Sequence, residues 1–230
     1  MEKKEKFETL TKMIGMAGLQ INEVVAYWQK TGQLEKSKDL SGITILPAKK
    51  FIPPETIRAG MFMYEDGLIF PEIVEGNQIT SVVGYVGKSE GLSVCLKEQK
   101  LRWGRCGNVC VGNKLSGKEA TRLIVAAGLH GGWSADAALY CFQYAEDGVR
   151  AGEAFLASKK ELELLYPNKK AINNALEMLH AVPMDQEFYM SSSDYYSYMV
   201  FVQDFQGGNW RRIDKFHYYG YVRPVLSFTI

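Results

Sequence analysis

Residues 189–225 read YMSSSDYYSYMVFVQDFQGGNWRRIDKFHYYGYVRPV. Short runs of aromatic and β-branched residues alternate here with Ser, Asn, Asp and Gly, which is typical of β-strands joined by turns. The Gln-Gly-Gly-Asn segment at 206–209 favours a tight turn between two of them. The pattern predicts strands at 187–192, 199–205, 209–214 and 221–228.

The region before these strands contains residues typical of helix starts and helix ends. Ser116 and Glu119 have the spacing of a capping box, and Gly128 follows as a helix terminator. Ser158 and Glu161 repeat the same spacing. Helices are therefore predicted at 118–127, 135–145, 159–166 and 167–180, the last beginning at a proline. Their apolar residues at helical spacing are predicted to be core: Leu123, Ile124, Leu139, Leu162, Leu165, Ile172 and Leu176.

Further towards the N-terminus the pattern returns to strands. A hairpin is predicted within 61–70 around Asp66-Gly67, and a second within 80–96. The order of strands, helices and strands indicates an α+β domain whose two ends can meet in one sheet. We therefore expect 221–228 to pair with 81–86.

Residues 1–56 are predicted to be a helical N-terminal segment followed by a linker, with the main domain at 57–230. Apolar residues between 7 and 28 recur at spacings of three and four, which predicts a coiled-coil seam that could form a homo-oligomer. Gly15 and Gly18 interrupt the run and give equal weight to two short helices packed on the main domain. Prolines at 47, 53 and 54 favour a connector, with at most an edge strand at 43–46.

The composition excludes several classes of function. The chain has 27 basic and 26 acidic residues, without the basic excess typical of nucleic-acid or anionic-membrane partners. No run approaches ~20 apolar residues, so no membrane insertion is expected. The N-terminus has no apolar stretch typical of a secretory signal, so we expect a protein of the cytoplasm or a virion, or one whose leader was removed.

No catalytic or metal-binding pattern stands out in the sequence. The chain contains no Gly-rich phosphate loop, no H-E-x-x-H and no G-x-S-x-G, which favours a protein that is not an enzyme. The four cysteines are Cys95, Cys106, Cys110 and Cys141. They lack the paired knuckles of zinc sites, so we expect buried thiols, no metal and no cofactor.

Tyrosines interspersed with small polar and charged residues dominate the region after residue 189. Tyrosine offers a large rigid contact area, and small polar residues adapt the hydrogen bonding between such anchors, as in antibody paratopes. Phe201 and Phe205 fit a buried pattern, whereas the more polar positions are costly to bury. The predicted exposed ligand-binding face comprises Tyr196, Tyr198, Asn209, Arg211, Arg212, Asp214, His217, Tyr218 and Tyr219.

An ordered series of motifs over residues 57–230 resembles the C-type-lectin-fold proteins of gut Bacteroidales and their phages. The motifs are Val82-Val83-Gly84-Tyr85, Trp103-Gly104, Ala138-Leu-Tyr-Cys-x-x-Tyr144, Ala154-Phe-Leu-Ala-Ser158, Tyr189-Met-Ser-Ser-Ser-Asp194, Phe205-x-x-Gly208 and Tyr221-Val-Arg-Pro-Val225. Met190 and Phe201 stand where that family usually has Trp, and Ala157 where Pro is common. These differences keep apolar volume and are compatible with the fold.

The resemblance implies a C-type-lectin-like domain with short antiparallel strands and a few helices. That family includes variable proteins diversified by retroelements, so it implies a variable surface that binds a protein or glycan on a cell surface, displayed by a phage tail or a bacterial appendage. Calcium-dependent sugar binding is not implied, because the calcium-binding triplets of sugar-binding lectins are absent. Two alternatives remain: an enzyme of the formylglycine-generating type, or a structural virion or fimbrial subunit.

Overall fold

A computed structural model describes residues 53–104, 111–112 and 114–230. Thr56–Ile230 forms one compact unit of mixed α+β structure, in agreement with the predicted fold class. The predicted helical segment with its seam at 7–28 and the predicted edge strand at 43–46 lie outside the described residues.

The described residues form eleven strands and four α-helices. In chain order the strands are β1 (Phe62–Tyr64), β2 (Ile69–Phe70), β3 (Ile79–Val86), β4 (Glu90–Cys95), β5 (Gln99–Arg102), β6 (Phe155–Leu156), β7 (Tyr189–Tyr196), β8 (Met199–Gln203), β9 (Trp210–Asp214), β10 (Tyr219–Val222) and β11 (Pro224–Thr229). The helices are α1 (Gly117–Gly131), α2 (Asp136–Gln143), α3 (Lys159–Leu165) and α4 (Lys169–Met178). Short 3-10 turns lie at Pro54–Thr56 and Tyr166–Asn168.

The strands make two sheets. The first has six strands in the order β2-β1-β3-β4-β11-β6, and every neighbouring pair in it is antiparallel. The second has five strands in the order β5-β10-β7-β8-β9. Its pairs are antiparallel except β10 with β7, which pair in parallel at Tyr221 and Tyr189. Both hairpins predicted upstream of residue 96 are confirmed.

Local signals place the helix starts correctly. Ser116 caps α1 and Ser158 caps α3, each in a reciprocal capping box with the glutamate three residues later. The predicted end of the first helix at Gly128 is wrong, because α1 continues to Gly131 and ends at Gly132 with φ 66°. Gly128 is instead a packing position: a Cβ there would lie 3.1 Å from the Trp133 carbonyl oxygen and 3.2 Å from the Ala135 Cβ.

The main core lies between α1, α2 and one face of the second sheet. Val200, Val202 and Val222 project from that sheet onto Ile124 of α1. The predicted core residues Leu162, Leu165, Ile172 and Leu176 are also buried, while Leu139 is half-buried against the core.

Leu123 is an exception among the predicted core residues, with 52% of its surface exposed. The buried stripe of α1 follows Ala120, Thr121, Ile124 and Val125, and residue 123 lies outside that stripe.

The predicted strand at 221–228 is two strands in different sheets. β10 ends at Val222, Arg223 follows, and β11 joins the first sheet. The predicted partner was also wrong, since β11 pairs with β4, which separates it from β3. The chain therefore crosses from the second sheet to the first at Arg223. The buried guanidinium of Arg223 holds this crossing in place by donating to Glu98 (2.7 Å) and to the carbonyl oxygen of Cys95 (2.9 Å).

Candidate ligand-binding surface

The residues predicted to bind a ligand lie largely at the surface. Tyr196, Tyr198, Tyr218 and Tyr219 have between 49% and 59% of their surface exposed. Arg211, Arg212, Asn209 and His217 are also exposed, and the Asp214 side chain retains 31% of its surface.

Aromatic rings and cations alternate across the outer parts of β7, β8 and β9. The Arg212 guanidinium lies 3.8 Å from the centroid of the Tyr195 ring, and Tyr195 contacts the Tyr196 and Phe201 rings at 4.4 and 5.5 Å. Phe201 in turn meets Trp210 edge-on at 6.5 Å. We call this group, together with Lys159, the aromatic–cation surface.

The register of the β8–β9 hairpin explains why these side chains share a face. Phe201 stands directly opposite Arg212, so both side chains project from the same side of the sheet. Trp210 is two residues from Arg212 and projects to the same side. Cation–aromatic contacts of this type are worth ~0.5–1 kcal/mol at exposed sites and hold the side chains in place.

Lys159 enters this surface from the first turn of α3. Its ammonium lies 4.5 Å from the centroid of the Trp210 ring and also pairs with Glu163. Its backbone N–H donates to the Ser193 hydroxyl (3.0 Å), which ties the start of the helix to β7. The capping box at Ser158 therefore positions a cation over the sheet as well as starting a helix.

A buried ion pair joins the end of β7, next to Tyr195, to the turn that follows β9. The Lys215 ammonium lies 2.9 Å from the Asp194 carboxylate, and both side chains are fully buried. Asp194 also accepts the backbone N–H groups of Val111 (3.2 Å) and Gly112 (2.6 Å). The Lys215 ammonium lies 4.3 Å from the centroid of the Trp103 ring.

Asp214 orders the turn that follows β9. Its carboxylate accepts the backbone N–H groups of Phe216 (2.8 Å) and His217 (3.0 Å) and lies 3.0 Å from the His217 ring nitrogen. Partial desolvation acts to raise the pKa of Asp214, but these hydrogen bonds and the imidazole outweigh it and lower that pKa. At the neighbouring turn, a hydrogen bond with Tyr195 raises the pKa of Tyr196.

The structure brings some of the nine predicted residues together and separates others. After the Tyr195 hydrogen bond, neighbouring Tyr198 acts to raise the pKa of Tyr196 and Arg212 acts to lower it. The Lys215 amide, which follows Asp214, donates to the Tyr198 carbonyl at 3.0 Å. Arg211 lies on the opposite face of β9, 5.1 Å from the centroid of the Phe188 ring.

Three further predicted residues lie elsewhere. Asn209 lies in the turn before β9, whereas Tyr218 directly precedes β10 and Tyr219 begins it. The Arg102 guanidinium of β5 lies 4.9 Å from the centroid of the Tyr219 ring.

Four residues of the aromatic–cation surface were not among those predicted: Lys159, Tyr195, Phe201 and Trp210. Phe201 was assigned to a buried pattern, yet it is only half-buried because its face of β8 is covered by cations instead of core residues. The two-residue alternation of Trp210 and Arg212 opposite Phe201 is a signal that could have identified the face.

The structure describes two of the four cysteines, and both lie in the interior. Cys95 and Cys141 are fully buried, and burial raises the pKa of both thiols, which disfavours the thiolate. Cys106 and Cys110 lie outside the described residues. Within 53–104, 111–112 and 114–230, no group of three His, Cys, Asp or Glu is arranged to hold a metal ion. The same ranges contain no helix with the length and apolarity needed to span a bilayer.

Comparison with known proteins gives a structural likeness. No protein-family model matches the chain, and no curated protein matches it. The crystal structure of a fimbrial protein from Bacteroides ovatus is similar, with a TM-score of 0.61 and 12% sequence identity. The match covers 75% of this chain and 49% of that chain, so the chain spans about half the length of the fimbrial protein. A likeness at this identity establishes a shared fold alone.

Proposed function

We propose that the domain is a ligand-binding module of a bacterial or phage surface assembly, without catalytic activity. The observation that carries the proposal is the Arg212 guanidinium stacked 3.8 Å from the Tyr195 ring centroid, with the Tyr196 and Tyr198 rings exposed beside it. Aromatic and arginine side chains held in fixed positions are the groups that dominate recognition in protein interfaces.

The support for binding is physical. Contact of aromatic surface with water is unfavourable in free energy unless a partner covers that surface. Contiguous exposed apolar patches therefore usually mark interaction sites. The rings here are held by contacts with each other and with cations, so little side-chain freedom remains to be lost on binding. The ligand we propose is a protein or glycan on a cell surface.

The scaffold and its origin are part of the same proposal. We propose that the domain is a C-type-lectin-like variable protein and that a diversity-generating retroelement varies positions within residues 194–219. The motif order over 57–230 supports the scaffold. Sequencing the neighbouring DNA tests the origin: a reverse-transcriptase gene and a near-copy of the 3′ end differing at adenines are expected.

A second candidate is a structural subunit of a fimbria, which the fold shared with the Bacteroides ovatus fimbrial protein favours. In that case Tyr196 and Tyr198 would be covered by neighbouring subunits. Sedimentation of the purified full chain separates the candidates: a stable polymer that loses its contacts on Tyr196→Ala and Tyr198→Ala supports the structural role.

Binding is tested with the fluorescently labelled full chain on intact Bacteroidales cells and on a glycan array. We expect the Tyr196→Ala, Tyr198→Ala double variant to lose binding while its unfolding midpoint stays unchanged. The matched control is Leu123→Ala, Leu129→Ala, which removes two exposed apolar side chains from α1. Equal binding by the double variant and the wild type would refute the proposed surface.

A further inference from the structure

Strand β9 lies at the edge of the second sheet. Among the strands that the structure describes, it pairs only with β8. An edge strand presents a row of backbone N–H and C=O groups that another extended chain can use. The edge consists of backbone groups, whereas the aromatic–cation surface consists of side chains, two of which (Trp210 and Arg212) also belong to β9.

The hydrogen bonds that bracket β9 define which of its amides face outward. The Asp204 N–H donates to the Asn209 carbonyl at 2.9 Å, and the Lys215 N–H donates to the Tyr198 carbonyl at 3.0 Å. Because bonded and non-bonded pairs alternate in an antiparallel ladder, residues 209, 211, 213 and 215 direct their backbone groups to β8. Residues 210, 212 and 214 direct theirs away from β8.

Within the described residues, β9 lacks two common protections of an edge strand, a bulge and a proline. Bulges, prolines and charges that project over the edge are the common devices. The β8–β9 ladder runs through five consecutive residue pairs without a register shift, whereas the β7–β8 ladder is bulged. β9 contains no proline. Its arginines lie over aromatic rings on the two faces of the strand, Arg211 over Phe188 and Arg212 over Tyr195.

The positive charges of β9 indicate which kind of peptide would pair with this edge. Arg211 and Arg212 are exposed on opposite faces, and neither forms an ion pair within the part of the chain that the structure describes. A strand paired with β9 would place consecutive side chains on alternate faces. Two consecutive acidic residues would therefore meet both arginines.

We propose that β9 is a docking site for an extended acidic peptide segment of a partner protein, which adds a sixth strand to the second sheet. This interaction goes beyond ligand binding by the aromatic–cation surface because it uses the backbone edge of β9, although Arg212 belongs to both. A second copy of the same strand is a poor occupant, because full antiparallel overlap of two β9 strands sets Arg212 against Arg212.

The experiment titrates the full chain, by NMR, with the capped peptide Thr-Val-Asp-Glu-Val-Thr. We expect the amides of Trp210 and Arg212 to shift and to gain protection from hydrogen exchange. The same peptide with Lys-Lys in place of Asp-Glu is the charge control and is expected not to bind. N-methylation of one alternate set of its amides should abolish binding, whereas methylation of the other set should not, because only one edge of the peptide faces β9.

Two protein variants distinguish the contribution of the Arg212 backbone N–H to peptide binding from that of its side chain. Arg212→Ala removes the charge and keeps the amide, whereas Arg212→Pro also removes the outward N–H without removing a bond to β8. We expect Arg212→Pro to bind the acidic peptide about tenfold more weakly than Arg212→Ala, as loss of one or two hydrogen bonds implies.

Several outcomes would overturn the proposal. One is that the acidic peptide binds equally well when either set of its amides is N-methylated. Another is that Arg212→Ala and Arg212→Pro bind the peptide with equal affinity. A third is that the NMR shifts are confined to Tyr196 and Tyr198. Self-association through β9 would do the same by identifying a second copy as the occupant. The N-methylated peptides are tested on the unaltered protein. They therefore show whether the peptide pairs with β9 through its backbone even if Arg212→Pro fails to fold. Tyr196→Ala with Tyr198→Ala should leave peptide binding intact, which separates this test from that of the aromatic–cation surface.

Discussion

The Lys215 ammonium and the Asp194 carboxylate meet at 2.9 Å with no solvent exposure of either side chain. The pair joins the turn after β9 to the end of β7, and the carboxylate also holds the backbone at Val111 and Gly112. Removal of one member of such a pair leaves a buried charge without its partner, which costs several kcal/mol.

We therefore predict that Lys215→Met lowers the free energy of unfolding by about 3–5 kcal/mol, measured by urea denaturation. Lys97→Met is the control, because it breaks an ion pair with Glu146 whose side chains are both about half exposed. Such exposed pairs contribute less than ~1 kcal/mol. A similar loss in both variants would contradict the importance of burial.

Leu165 and Leu123 offer a comparison of one side chain in two environments. Leu165 is fully buried and Leu123 is 52% exposed. Leu165→Ala should reduce the free energy of unfolding by ~2–5 kcal/mol. Leu123→Ala should change it by no more than ~0.5 kcal/mol. Denaturation of the two variants side by side tests whether Leu165 of α3 is core and whether Leu123 lies outside the buried stripe of α1.

Changing Tyr198, Arg211 and Tyr218 together to alanine should leave the melting temperature nearly unchanged, because all three side chains are exposed. The same change at three buried positions should unfold the domain: Phe205, Val222 and Val225. Calorimetry of the two triple variants makes the comparison. Equal destabilisation would mean that the tyrosine-rich strands are core, and the proposed binding role would lose its support.

The Asp214 carboxyl should titrate below the usual ~3.9 of aspartate, since its hydrogen bonds favour the charged form. Its folded-state pKa is depressed, so its contribution to stability is complete above the unfolded pKa and is lost as pH falls through the folded one. An NMR titration should also show the Phe216 and His217 amides responding at that pH.

His217→Ala should move the pKa of Asp214 upward, because it removes the hydrogen bond from the imidazole. His130→Ala is the control, since that histidine lies at the end of α1. A titration unchanged by His217→Ala would leave the backbone amides as the sole cause of the low pKa.

Features set by neighbouring residues were predictable from the sequence, and features set by distant contacts were not. Both capping boxes are contained within four residues, so helix starts at 117 and 159 could be found. The burial of Gly128 depends on Trp133 and Ala135 folding back, which no periodicity in α1 indicates. The strand break at Arg223 depends on Glu98, more than a hundred residues away.

The candidate surface shows the same limit. Exposure of the tyrosines could be predicted, because burial of so many hydroxyl groups is costly. Membership of Phe201 and Trp210 required the register of the β8–β9 hairpin, and membership of Lys159 required α3 to lie beside β7.

The crossing at Arg223 has a consequence for the order in which the protein matures. β10 lies between β5 and β7, and β11 lies between β4 and β6, so both are interior strands. Neither sheet can form its complete strand order during synthesis until residues 219–229 have left the ribosome. Until then β4, β5, β6 and β7 each expose a strand edge that a chaperone or another nascent chain can pair with. Residues 219–229 therefore complete both sheets in one step.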